Sequence, residues 1–192
     1  LAANRRNTVS VGALVALGAI ALGVVALDQI TKALVVRYLV QGEPSLPIIG
    51  DFLSFEFVKN SGAAFSFAAG STWVFSIVAL GVTLFIVWFS RRIRSLWWAV
   101  LFGLLLGGTV GNLADRLFRE PGFGQGHVID FLKIPLLPAI FNIADVAIVA
   151  SMFLFVIVTV RGRQLDGTPV SGSRGAAHID PCASGDDGAG QA

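Results

Sequence analysis

The chain has 192 residues, 55% hydrophobic and 14% charged, more apolar than an ordinary soluble domain. The excess falls in four runs at about 11–27, 72–90, 96–113 and 139–160, each near the ~17–25 residues a helix needs to cross a bilayer. This excludes a large soluble domain, and the formal charge of +2 gives no reason to expect nucleic acid, because the arginines are distributed by topology.

Arg5 and Arg6 precede the first run, Arg91, Arg92 and Arg94 separate the second and third, and Arg161 and Arg163 follow the fourth. By the positive-inside rule both termini and the middle loop are expected in the cytoplasm, with loops 28–71 and 114–138 outside. Arg5-Arg6 before an apolar run also resembles a secretory signal. The run is longer than a typical h-region, however, and Asp28-Gln29 is a poor cleavage site, so it reads as a retained span. The expected fold class is a mainly α membrane protein. It comprises residues 1–160 as a four-helix transmembrane bundle with a small extracytoplasmic β-cradle, and 161–192 as a disordered cytoplasmic tail.

In chain order, the first span is expected to end at Leu27 and continue as Asp28-Gln29-Ile30-Thr31-Lys32. Asp28 and Lys32, four apart with the acid first, support a helix. They read either as an interfacial ion pair ending the span or as a polar cluster that orients loops. Pro44 and Pro47 then break the helix. Residues 48–60 read as extended, since Leu53, Phe55 and Phe57 alternate with Ser54 and Glu56. Asn60-Ser61-Gly62 is a turn signal, and residues 63–67 are expected to return as a second strand. The phenylalanines of this sheet are expected to face lipid or substrate chains. Asn60 reads first as a turn former, with donation to a substrate carbonyl as the sharper alternative.

The second span carries Trp73 and Trp88 near its ends, where an aromatic belt is expected. In the third, Gly103, Gly107 and Gly111 recur every four residues, a stripe that lets another helix approach closely. At its end Asn112, Asp115 and Arg116 occupy neighbouring faces. Arg116 offers a planar charged fork suited to carbonyl or phosphate oxygens, and Asp115 is expected to be held ionised by the adjacent Arg116. Residues 119–126 form a Gly-rich loop. The lone cysteine, Cys182, lies in the polar tail and supports neither a disulfide nor a thiol nucleophile.

The fourth span opens with Phe141-Asn142-Ile143-Ala144-Asp145. With a helix from 139, Asp145 would lie roughly 9 Å along it, on one face with Asn142. An intramembrane carboxylate is costly and marks a functional site by default, the plainer reading being a polar contact between helices. Asp130, between Ile129 and Phe131, is its most promising partner, and desolvation there is expected to raise its pKa. Two carboxylates sharing a proton can activate a water and polarise a carbonyl. No cofactor and no metal are expected; His127 reads as a loop residue rather than a ligand.

These blocks resemble the lipoprotein signal peptidases (signal peptidase II) of bacteria. The resemblance spans about residues 11–160. It rests on Asp28-Gln29-Ile30-Thr31-Lys32, Asn60-Ser61-Gly62-Ala63-Ala64-Phe65, Gly107-Gly108-Thr109-Val110-Gly111-Asn112-Leu113-Ala114-Asp115-Arg116, Val128-Ile129-Asp130-Phe131 and Phe141-Asn142-Ile143-Ala144-Asp145. It implies an aspartic endopeptidase of the bacterial cytoplasmic membrane, with its site at the outer face. Such an enzyme cuts the signal peptide from a prolipoprotein just before a cysteine that carries diacylglycerol. Under it the catalytic pair is Asp130 and Asp145. Asn60, Asn112, Arg116 and Asn142 contact substrate or shape the site, and Asp28, Lys32 and Asp115 support it. It further implies a mobile external segment and inhibition by globomycin. The linker from Arg116 to Asp130, with its 120–126 insert, is longer than the family pattern. The expected partners are lipidated prolipoprotein signal peptides and membrane lipid, with the chain acting as a monomer. The rival readings are a proton-coupled transporter and a non-catalytic membrane scaffold.

Overall fold

A computed structural model of the chain describes residues 10–62, 72–137 and 139–165. Four of its helices are long and apolar enough to cross a membrane: α1 (Val11–Tyr38), α2 (Thr72–Phe89), α3 (Leu96–Phe118) and α4 (Ile143–Val160). A single 3-10 turn, Ser90–Arg92, follows α2. Three helix boundaries differ from the expected ones. Helix α1 runs past Leu27 because Asp28 and Lys32 satisfy each other inside the protein instead of marking the water interface, and no Gly or Pro intervenes before Gly42. Helix α3 continues beyond residue 113 for the same reason, since Asp115 is also neutralised internally. Helix α4 begins at Ile143 rather than 139, because Asn142 caps it and residues 140–141 are drawn into a sheet.

Helix α3 packs against each of the other three, and its glycines allow close approach of α1 and α4. A Cβ at Gly107 would lie 2.6 Å from Val24 Cβ and 2.8 Å from the Ala21 carbonyl, and one at Gly103 would lie 3.0 Å from the Leu17 carbonyl. Both face α1. Gly108, on the adjacent face, meets the Ala144 carbonyl of α4, 2.5 Å from where its Cβ would be. The predicted stripe thus brings α1 close, and Gly108 extends the close approach to α4.

The sheet is four-stranded and antiparallel, in the order β1 (Leu46–Ile49), β2 (Leu53–Asn60), β3 (Val128–Lys133), β4 (Ile140–Phe141). Residues 48–60 are therefore not one extended segment but two strands joined by a turn in which Gly50 has positive φ. Strand β2 pairs with β1 and with β3, with Val58 opposite Asp130 and Asn60 opposite Val128. The expected return strand at 63–67 lies outside the described residues.

Among the described residues, the sheet's phenylalanines do not mainly face lipid. Phe57 and Phe131 are buried with Ile129 against Val35 near the end of α1, and Phe55 meets Phe131 edge-on at 5.7 Å. Burial of this cluster fixes the sheet to the helix bundle, since apolar contact is what the sheet offers α1 on that face. At the other end of the bundle, residues 161–165 form a turn rather than the start of a loose tail. The amides of Arg94 and Ser95 donate to the Leu165 carbonyl, and the Trp98 indole donates to the Arg163 carbonyl. The remainder of the expected tail, 166–192, lies outside the described residues.

Candidate active site

Asp130 and Asp145 reach the site from different elements. Asp130 lies on β3, 2% exposed. Asp145 is the third residue of α4, in its first turn rather than six residues into a helix. Asn142 caps that helix. Its side-chain oxygen accepts from the Asp145 amide at 3.0 Å, and the Asp145 carboxylate accepts from the Asn142 amide at 3.1 Å. This reciprocal capping box satisfies two backbone donors that would otherwise be orphaned at the helix start.

With its oxygen engaged in the cap, the Asn142 side-chain nitrogen points out of the helix and donates to Asp130 Oδ1 at 2.6 Å. One asparagine therefore touches both carboxylates, one through its backbone and one through its side chain. Asn60 holds the other Asp130 oxygen, donating from Nδ2 at 2.8 Å. Its Oδ1 accepts from the Gly62 amide at 2.8 Å, so Asn60 does form the turn, and the turn aims its donor at Asp130. Asn112, on α3, donates to Asp145 Oδ1 at 2.8 Å and accepts from Asn142 at 3.2 Å and from the Lys32 ammonium at 2.9 Å. An ammonium only donates, so Lys32 dictates which way the Asn112 amide faces.

Behind this layer lies a buried ionic cluster. Lys32 Nζ stands 2.8 Å from both Asp28 and Asp115, all three side chains fully buried. Of the two readings of Asp28 and Lys32, the structure selects the polar cluster. The expected partner of Asp115 was Arg116; its close cations are instead Lys32 and Arg119, the latter at 2.6 Å. The side chain of residue i+4 lies over that of i on a helix, whereas i+1 points away. Gln29 Nε2 also contacts Asp28, Asp115 and the Gly111 carbonyl. Sequence reasoning gave no role to Gln29 or Arg119. The spacing of Asp115 and Arg119 carried a signal for the second, and Gln29 was marked only by its place in the Asp28-Gln29-Ile30-Thr31-Lys32 block.

Arg116 turns toward the carboxylates. Its guanidinium is within electrostatic reach of Asp130 and Asp145, donates to the Asn112 carbonyl at 3.3 Å and lies 5.7 Å from the Phe75 ring centre. Its Nε is buried and has no hydrogen-bond partner among the described residues. The Asp130 pKa is pushed up to about 6, first by burial and further by the nearby Asp145 charge. Donation from Asn60 and Asn142 and the charge of Lys32 pull the other way without cancelling it.

Residues 20–161 match the model of the family described as Signal peptidase (SPase) II. The chain belongs to the signal peptidase II family. It is 63% identical over 162 residues to a lipoprotein signal peptidase of Leifsonia xyli subsp. xyli, covering 84% of this chain and 74% of that one. It is 48% identical over 147 residues to one of Mycobacterium avium, covering 77% and 80%. Two solved structures, titled as bacterial membrane enzymes determined by the in meso method at 1.9 and 2.3 Å, superpose with TM-scores of 0.68 and 0.65 at 27% and 28% identity. They cover 82% and 78% of this chain, and 99% and 87% of their own.

As a signal peptidase II, the chain is a multi-pass membrane protease, which counts against the transporter and scaffold readings. Every predicted site residue falls within the one network described above. In a peptidase, that network offers two carboxyl groups in different surroundings, one sealed from water and one at a helix start. It also offers a set of amide and guanidinium donors able to meet carbonyl oxygens.

Proposed function

We propose that Asp130 and Asp145 are the catalytic pair of an aspartic endopeptidase that removes signal peptides from prolipoproteins. The observation that carries this is Asn142, whose backbone amide and side chain hold one carboxylate each. Asp130, buried and with its pKa raised to about 6, carries the proton and donates it to the scissile carbonyl oxygen. Asp145 takes a proton from water as the water attacks the carbonyl carbon. As the tetrahedral intermediate collapses, the C–N bond breaks and the leaving nitrogen takes up a proton from the pair. Arg116, with an unshared Nε, binds a substrate carbonyl beside the site.

The substrate is a precursor whose cysteine already carries diacylglycerol, cut just before that cysteine. A site at the ends of α3 and α4, where apolar helices give way to a polar sheet, lets lipid chains remain in the bilayer while the peptide bond enters the polar pocket. The arginines at the opposite end of the bundle support a site at the outer face and both termini in the cytoplasm. One chain supplies the whole network, so a monomer suffices.

The test is cleavage of a purified prolipoprotein, with and without its diacylglyceryl group, by the purified chain. Cleavage of the lipidated form at the bond before cysteine, lost in Asp145→Asn with unfolding temperature retained, is the expected result. Equal cleavage of the unlipidated form would remove the lipid requirement. Full activity in Asp145→Asn would remove the dyad.

A further inference from the structure

We infer that the end of the bundle opposite the catalytic residues holds a binding site for the phosphodiester headgroup of an anionic glycerophospholipid. The turn after α2 and the turn after α4 meet there. Their union is fastened by backbone hydrogen bonds from Arg94 and Ser95 to the Leu165 carbonyl and by the Trp98 indole on the Arg163 carbonyl. Between them is a cavity of about 470 Å³ lined by Arg91, Arg92, Arg94, Gln164 and Leu165. Arg161 and Arg163 flank the same junction. Among the described residues, every Asp and Glu lies in the other half of the bundle, from Asp28 onward toward the catalytic pair.

A positive-inside bias alone accounts for arginines in these loops. It does not call for two arginine-bearing turns stapled together around a concavity, nor does it fix their depth. Depth is set by Trp88, which is largely exposed on an apolar helix end and so belongs in the headgroup layer. The Arg92 guanidinium lies 4.9 Å from its ring centre, held there by a cation–π contact. Arg92 therefore stands at the level of lipid phosphates rather than out in solution. A guanidinium presents parallel N–H donors that match phosphate oxygens, and basic pockets between transmembrane helices are a recurrent site for anionic headgroups. Gln164 adds a neutral donor and acceptor suited to a polar headgroup such as glycerol.

The experiment uses the full chain in micelles doped with equal amounts of phosphatidylglycerol and phosphatidylcholine. Lipid retained on the protein is counted by native mass spectrometry. Phosphatidylglycerol retained in preference to phosphatidylcholine is expected. The preference should fall on the order of tenfold or more when two arginines are removed in Arg91→Gln/Arg92→Gln. The charge-matched control Lys59→Gln/Lys133→Gln, at the far end, should leave it unchanged. Prolipoprotein cleavage in phosphatidylcholine micelles checks that the arginine variant is folded. Equal retention of the two lipids, or equal loss in the lysine control, overturns the site. In a parallel arm, inorganic phosphate is added to phosphatidylcholine micelles and the unfolding temperature is read. A rise equal to that given by phosphatidylglycerol would identify a free-anion site and overturn the lipid assignment.

Discussion

Asp28 and Asp115 perform the same task on two different elements of the site. Asp28 accepts the backbone N–H of Ala144 at 3.0 Å, and Asp115 accepts that of Ile129 at 3.2 Å. Ala144 immediately precedes Asp145, and Ile129 immediately precedes Asp130. Each supporting carboxylate thus anchors the backbone one residue before a candidate catalytic carboxylate. Lys32, 2.8 Å from both, ties the two anchors together. The separation of the proposed pair, Asp130 and Asp145, is therefore set by a buried ion triad as well as by Asn142.

That arrangement predicts the behaviour of Lys32→Met. Removing the ammonium leaves two fully buried carboxylates, with Asp115 keeping Arg119 and Asp28 losing its only ion-pair partner among the described residues. Breaking a buried ion pair from one side costs about 3–5 kcal/mol. Thermal unfolding in detergent should show that loss, and adding Asp28→Asn to Lys32→Met should restore part of it. Lys32→Met with wild-type unfolding would mean that the triad does not hold the site.

The two layers should also separate by which property they lose. Asp130→Asn and Asp145→Asn remove proton transfer and should lower kcat by at least about 10²–10⁴-fold with unfolding temperatures near the wild type. Asp115→Asn retains one oxygen for the Ile129 amide but gives up its charge toward Lys32 and Arg119, so stability should fall first. Circular dichroism melts alongside prolipoprotein cleavage would distinguish the patterns. Normal cleavage by Asp130→Asn together with dead, folded Asp115→Asn would transfer the catalytic role to Asp115.

What the sequence made legible here follows from the range of each interaction. The four spans were readable because bilayer crossing imposes a length and an apolar run on each segment separately. The Gly103, Gly107 and Gly111 stripe was readable because helical spacing is local. Helix ends were not: Asp28 and Lys32 read equally as an interfacial pair or a polar cluster, Asp115 read as a partner of Arg116, and only their meeting across α1 and α3 makes them interior residues. The start of α4 was obscured in the opposite way, since Asn142 reads as one more residue of the run until its side chain is seen closing the cap. The pairing of β2 with β3 joins residues some 70 positions apart, as Asn60 and Asp130 show. No local pattern announces such a contact. The residues singled out by motif resemblance share one network, but no role was read for Gln29 or Arg119, whose contacts appear only in the network's geometry.

Close approach at Gly108 gives a prediction about the backbone. A Cβ there would stand 2.5 Å from the Ala144 carbonyl, with backbone rather than a movable side chain as the obstacle. Gly108→Ala must displace the first turn of α4, which carries Asp145, at a cost of about 1–3 kcal/mol and with loss of cleavage. Gly23→Ala meets nothing within 4 Å and should be neutral or slightly stabilising, since alanine favours a helix by about 1 kcal/mol over glycine. Comparable effects from the two substitutions in melting and cleavage assays would contradict the packing described for α3 and α4.

The raised pKa of Asp130 fixes the sign of two pH dependences. In the unfolded chain the group titrates near 3.8, and in the folded chain at about 6. Between these values the folded state binds the extra proton, so this group's contribution to stability is fully present below about 3.8 and is lost as pH rises through about 6. Asp130→Asn, which cannot ionise, should lack that component of the decline when unfolding is measured from pH 4 to 7. Catalysis by a singly protonated pair should fall over the same upper range, giving kcat/KM an alkaline limb near pH 6 in the wild type. Asn60 donates to the ionised form of Asp130 and so lowers its pKa. Deleting that donor in Asn60→Ala should move the limb to higher pH, while a change confined to KM with the limb unmoved would show that Asn60 serves the substrate and not the proton.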